Sequence, residues 1–178
     1  MKERVTGTIV LVYTLVMIIF SFITLTNVSG EELNREKGAL PSFVYYTLDG
    51  STYTEKDLKQ GQRLMIVYFN PLCDVCVRET QEIVNNMEYF KDIQILMISP
   101  NRKDEIIDFV KEFKLSDYPQ VTVLHDQYDK FYKEFQAIGY PSLYLYDENK
   151  NLIVNFDSHA DIEEIRGAFE EVVAKEKD

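Results

Sequence analysis

The apolar positions of this chain change their period several times, and each change marks an element. Val5 to Val28 carries no charged side chain, with Ile9–Ile23 as its apolar heart. As a helix rising about 1.5 Å per residue it would span roughly 36 Å, enough for a bilayer core with some tilt. Residues 31–39 are charged and poor in apolar groups, predicting a tether. Pro41–Leu48 reads as a strand, Asp49-Gly50 as a turn, Ser51–Thr54 as a returning strand or a cap, and residues 55–59 as a short helical turn. Leu64–Phe69 is almost continuously apolar, as a strand covered on both faces requires.

Beyond Cys73 the period becomes helical. Val77, Thr80, Ile83/Val84, Met87 and Phe90 recur at spacings of three and four. Ile93–Ile98 is the next strand, and Ile106/Ile107, Val110 and Phe113 stripe a helix opened by a capping pattern at Asn101 and Asp104. Val121–Leu124 predicts a short strand, while Phe131, Phe135 and Ile138 predict a helical face closed by Gly139. Ser142–Tyr146 and Asn151–Phe156 pair as a hairpin, and Ser158-x-x-Asp161 caps a last helix through Ile162, Ile165, Phe169 and Val172/Val173. Strands alternating with helices, plus a late hairpin, predict an α/β fold with a mixed sheet covered on both faces.

Lys2 and Arg4 precede the apolar N-terminal stretch, and acidic residues dominate after it, so the positive-inside rule predicts an exported C-terminal part. The expectation is a single-pass membrane protein: residues 1–30 as anchor, 31–39 as tether and 40–178 as the folded domain on the outer, periplasmic or extracytoplasmic side. The alternative is a secreted or periplasmic chain cleaved near Gly30. No cysteine stands near residue 30, which removes a lipid-modified cysteine as the anchor. The net charge is −11, and residues 1–30 hold two basic and one acidic side chain, which leaves the rest near −12. Such a surface argues against nucleic acid and anionic lipid as partners.

Only two cysteines are present, Cys73 and Cys76, directly after the Leu64–Phe69 strand and the turn Asn70-Pro71-Leu72. A thiol at a helix N-terminus meets unpaired N–H groups and the positive end of the helix dipole, which favour its thiolate. Cys76, one turn on, is placed to attack a mixed disulfide and release the partner. A disulfide closing so small a loop would add little stability, so exchange is preferred over a structural role. Asp74 is expected to oppose the thiolate, raising the Cys73 pKa and favouring a reductant, whereas Arg78 would act the other way if it folded over the site. Tyr140-Pro141 opens a strand, where a proline costs no ladder hydrogen bond. A structural zinc site wants four ligands, and only the two thiols, His125 and His159 are available. No metal site and no cofactor are expected, with a copper site on both cysteines and one histidine as a further alternative.

Three segments together resemble the thioredoxin superfamily, within it the membrane-anchored TlpA/ResA-like branch of thiol-disulfide oxidoreductases. They are the Pro-x-Phe and Asp-Gly elements in residues 40–59, the strand and dithiol of Met65–Cys76, and Gly139–Asp147. The resemblance implies a thioredoxin-like mixed sheet with an N-terminal hairpin extension and, from the branch, a transmembrane helix. It implies a cis Pro141 facing the dithiol, with the backbone of Tyr140 offered to a substrate chain. Segment 91–125 would supply the branch's βα insertion. It further implies a disulfide of an exported protein as substrate and a membrane-linked electron donor. Three departures stand out. Leu72 replaces the usual tryptophan before the first cysteine, Asp74-Val75 stand where a proline is often found between the cysteines, and the acidic residue often found beneath the dithiol is absent from the strand 64–69. Competing functions are a non-catalytic anchored binding scaffold, using the many aromatics, and a peroxiredoxin. The latter normally has a threonine three residues before its reactive cysteine, where Asn70 stands.

Overall fold

A computed structural model describes residues 38–175. In strand β3 (Arg63–Tyr68), Leu64, Ile66 and Tyr68 belong to one buried cluster, and Met65, Val67 and the following Phe69 to another. Because successive side chains point to opposite faces, that partition explains the unbroken apolar run. Both sides of the strand are covered. β3 is an interior strand of a seven-stranded sheet with β1 (Val44–Thr47), β2 (Thr52–Thr54), β4 (Ile93–Ser99), β5 (Val121–His125), β6 (Ser142–Tyr146) and β7 (Leu152–Phe156). The order is β2-β1-β5-β4-β3-β6-β7, with β3, β4 and β5 mutually parallel and the other pairings antiparallel. Segment 91–125 thus supplies two strands of the main sheet, β4 beside β3 and β5 beyond it.

Three helices cover one face: α1 (Asp74–Asn85), α2 (Lys103–Glu112) and α4 (Ile162–Lys175). Ile83 of α1, Ile106 and Phe109 of α2, and Ile165 and Phe169 of α4 join Met65, Ile95 and Leu145 in one cluster. Met87 and Phe90 lie beyond the end of α1 yet remain in it. The opposite face is covered by Phe43 and Tyr45 and by the short helix α3 (Phe131–Glu134), where Phe131 stacks on Tyr68 at 4.1 Å and on Phe135 at 4.2 Å. The Asp49-Gly50 turn forms as read. Gly50 takes φ +99°, and Asp49 accepts from the Ser51 N–H at 3.0 Å.

Three local expectations are corrected. The face through Phe131, Phe135 and Ile138 is not one helix: α3 ends at Glu134, Gln136 takes φ +58° in place of Gly139, and Ile138 is 80% exposed. Asn101 does not cap α2. Its amide donates to Glu105, and Asp104 pairs with Arg102. At α4 the cap is Asp161 rather than Ser158, through a reciprocal pair: Glu164 N–H to Asp161 Oδ1 at 2.9 Å, and Asp161 N–H to Glu164 Oε2 at 3.0 Å.

The expectation of an N-terminal transmembrane helix is also corrected. Among the described residues no helix is long and apolar enough to cross a membrane. The longest, α4, has 14 residues and places Glu163, Glu164 and Arg166 in its first turns. Segment 5–28, on which the anchor rested, lies outside the described residues. The fold class is a mixed thioredoxin-like sheet covered by helices. The single-pass location, the membrane as partner and the membrane-linked donor are withdrawn with the anchor.

Candidate active site

β3 delivers the chain to the turn Asn70-Pro71-Leu72, which Asn70 organises. Its side-chain oxygen accepts the Leu72 N–H at 2.8 Å, and its carbonyl accepts the Cys73 N–H at 3.1 Å. Cys73 is the residue before α1, with extended backbone (φ −95°, ψ 117°), and its carbonyl accepts the Val77 N–H at 3.0 Å. Its thiol therefore faces the free N–H groups of the first helical turn. Pro71 is half-buried, while Leu72, in the place of the usual tryptophan, is 71% exposed.

The two thiols are electrostatically unlike. At Cys73 burial opposes the thiolate, but the Cys76 N–H, the Cys76 thiol and the Val75 N–H all donate to the sulfur. The net effect holds its pKa below the ordinary value. Asp74 raises it, as the sequence predicts, but is the weakest of these influences, so the expected net rise is corrected to a fall. Arg78 is exposed and forms no ion pair among the described residues. Cys76 is 1% exposed. Burial pushes its thiol up to about 12, partly offset by a backbone N–H from the Asn70 turn and reinforced by the hydrogen bond and charge of Cys73 and by the charge of Glu79.

The chain returns to this end of the sheet at Tyr140-Pro141, which is cis, with Pro141 buried and Tyr140 38% exposed. Ser142 Oγ donates to the Gly139 carbonyl at 2.9 Å, closing the loop that carries them. The Tyr140 ring lies 4.7 Å from that of Tyr68. Its hydroxyl donates to the Tyr68 hydroxyl at 3.2 Å, and Tyr68 donates to Asp129 Oδ1 at 3.2 Å. Together with Tyr132 and Ile138 these residues line a recess of about 250 Å³.

The structure also supplies a group that the sequence reading looks for on β3 and does not find. Glu79, three residues beyond Cys76 on α1, is 1% exposed among apolar side chains. Residues three apart share a helix face, and a carboxylate interrupting the face of Cys76, Thr80 and Ile83 was its signal in the sequence. Burial pushes its pKa up to about 7, moderated by the Ala160 N–H at 3.0 Å and by His159, whose Nδ1 lies 3.3 Å from Oε1. Among the described residues Oε2 has no hydrogen-bond partner. An unmade bond of this kind costs about 1–3 kcal/mol, so the group is kept at some expense to the fold.

His125 lies on β5 and His159 in the loop before α4. Among the described residues no three His, Cys, Asp or Glu side chains gather as metal ligands.

An uncharacterized protein of Haemophilus influenzae is 25% identical over 111 residues, covering 60% of this chain and 71% of that protein. Among solved structures, a putative thioredoxin from Neisseria meningitidis superposes with a TM-score of 0.62 at 23% identity, over 75% of this chain and 91% of that one. A secreted Mycobacterium tuberculosis disulfide oxidoreductase, homologous to DsbE of E. coli, gives 0.61 at 16% identity, over 72% and 95%. These structural likenesses carry the fold. The chain has a thioredoxin-like fold with a closely spaced cysteine pair, a combination consistent with redox activity. The resemblance to an anchored branch is corrected to that superfamily fold, since no membrane span occurs among the described residues. Residues 37–155 match the AhpC/TSA family. By a match over more than half of its length, the chain belongs to the AhpC/TSA family.

Proposed function

We propose that the protein is a thiol-disulfide oxidoreductase that exchanges disulfides of exported proteins through Cys73 and Cys76. The observation that carries this reading is the asymmetry of the pair. Cys73 is half-buried with a lowered pKa, and Cys76 is sealed with its thiol held protonated. The Cys73 thiolate attacks one sulfur of the substrate disulfide and expels the other as a thiolate. Cys76 then loses its proton to Glu79 and attacks the Cys73 sulfur. The 73–76 disulfide forms, the second substrate thiol leaves, and two electrons have passed to the substrate. A reduced dithiol protein must then restore the pair.

Formation of the mixed disulfide itself prepares Cys76. The negative Cys73 sulfur is one cause of the raised Cys76 pKa, through its hydrogen bond and its charge. Once that sulfur is covalently bonded, both influences vanish and the proton becomes easier to remove. Tyr140, Pro141, Leu72 and Pro71 form the surface proposed to receive the substrate backbone. Asp74 tunes Cys73, and Arg78 is left without a role. The exported substrate class draws support from the secreted relative.

The test is a Cys76→Ser variant of the full chain mixed with disulfide-bonded protein and analysed by mass spectrometry without reductant. A mixed disulfide at Cys73, lost in the double serine variant, is expected. No covalent species would indicate a binding scaffold instead. The direction is read from the Cys73–Cys76 potential: a value near or below about −250 mV makes the protein a reductant, and one near about −120 mV an oxidant.

The family match favours a second reading, with a peroxide as electron acceptor. Cys73 would then become a sulfenic acid as the peroxide O–O bond breaks, and Cys76 would condense with it, releasing water. Asn70 in the usual threonine position weighs against it. Capture of a sulfenic acid by dimedone in peroxide-treated Cys76→Ser would favour it.

A further inference from the structure

The carboxyl of Glu79 faces two different surroundings. Oε2 is sealed from solvent, without a partner among the described residues, on the helix face shared with Cys76, while Oε1 meets the Ala160 N–H and, at 3.3 Å, Nδ1 of His159. Glu79 is 1% exposed, but the His159 side chain is 38% exposed. The other imidazole nitrogen, Nε2, lies 3.8 Å from Oε2 of Glu82, itself 43% exposed. The titratable groups around Glu79 are thus Cys76 and Glu82 on its own helix and His159 from the loop before α4. Asp161 in that loop is engaged in capping α4. A buried carboxyl that takes a proton at every turnover must also lose it. His159 is the ionisable side chain that touches both Glu79 and solvent.

We propose that His159 conducts the proton of Cys76 out of the fold, receiving it from Glu79 and releasing it to solvent beside Glu82. The proposal rests on the exchange reading above and adds a residue that acts through Glu79 without touching the substrate. The Cys76 thiol gives its proton to Oε2, and a half-turn of the carboxyl about its Cγ–Cδ bond presents that proton to Nδ1. The imidazole becomes imidazolium and sheds the Nε2 proton to water. No electrons move in these steps, and Glu79 is again a carboxylate. While charged, the imidazolium favours that carboxylate, which resets the base.

The full chain, reduced and mixed with the aromatic disulfide DTNB, separates the steps. A first release of thionitrobenzoate reports attack by Cys73, and a second reports resolution by Cys76. In His159→Ala the ratio of second to first rate is expected to fall at least about tenfold at neutral pH. The midpoint of the second phase should move up by about one pH unit, because Glu79 has lost the His159 contact that lowers its pKa. Added imidazole should restore the second phase in His159→Ala but not in Glu79→Gln. His159→Gln, which keeps a side-chain amide near Glu79 yet cannot titrate, should be slow as well. An unchanged ratio in His159→Ala, a wild-type rate in His159→Gln, or failure of imidazole to restore the rate overturns the relay. A wild-type protein with no second phase would instead remove the exchange reading.

Discussion

Glu79 lies one helical turn beyond Cys76 on the buried side of α1, and burial raises both groups, the carboxyl to about 7 and the thiol to about 12. Burial disfavours the charged form of each, and a carboxyl titrating near about 7 is available at neutral pH as a base next to the sulfur that must lose its proton. Cys73, three residues earlier, is shifted the opposite way because backbone N–H groups and the Cys76 thiol converge on it. Two cysteines of one helical turn thereby acquire separate tasks.

Iodoacetamide at neutral pH should alkylate Cys73 faster than an ordinary cysteine and leave Cys76 untouched until the chain unfolds. Thiolates react and thiols do not, and Cys76 is sealed. Cys76→Ala removes a donor to the Cys73 sulfur and should raise its titration midpoint by up to about one unit. Peptide mapping after timed labelling measures both effects. Equal labelling of the two cysteines in the folded protein would contradict the assignment.

Asp74→Asn should lower the Cys73 midpoint by less than about one unit, because it removes the weakest opposing influence. A more stable thiolate is a better leaving group, so the potential should become less negative by up to roughly 30 mV. Equilibration against glutathione buffers reads this shift. A change in the other direction would mean that Asp74 acts through something other than its charge.

Glu79 should make stability fall as pH rises. Its carboxyl titrates near about 7 in the fold against 4.5 ordinarily. Between those values the folded chain retains a proton that the unfolded chain has lost, and stability is lost across that window. Glu79→Gln escapes this, so it should be the more stable protein above neutral pH, by up to about 3 kcal/mol. Below about pH 4 the difference should vanish, since Glu79 is then neutral in both states. Urea melts of the two proteins across this range test the expectation, and a difference independent of pH would refute it.

Phe131→Ala should cost about 3–5 kcal/mol, the usual range for removing a buried aromatic ring. Phe131 is fully buried between Tyr68 and Phe135. Because Tyr68 in turn holds the Tyr140 hydroxyl, the same variant should raise KM for a protein disulfide more than it lowers kcat. Denaturant melts and steady-state assays give the two readouts. A loss below about 1 kcal/mol would mean that the α3 face contributes little to the core.

Most of the sheet was readable because an alternating or continuous apolar run is a local signal. Leu64–Phe69, Ile93–Ile98 and the late hairpin all announce themselves within a few residues. The stretch after Phe131 misleads for the opposite reason. Phe135 is buried and Ile138 exposed according to where the chain turns after four helical residues, a turn made by Gln136 with positive φ rather than by a glycine. Capping at Asn101 failed similarly, since its amide found Glu105 first.

The linear chain alone determined that two thiols would stand at the start of a helix fed by a central strand, because strand, turn and helix are each encoded over a handful of neighbours. Only the tertiary structure decided what those thiols would be. Burying Glu79 against a core built by α2 and α4, and bringing Ala160 and His159 to it from some eighty residues away, are consequences of packing. Proton affinity follows solvent exclusion and charges gathered in space. No run of consecutive residues carries that information.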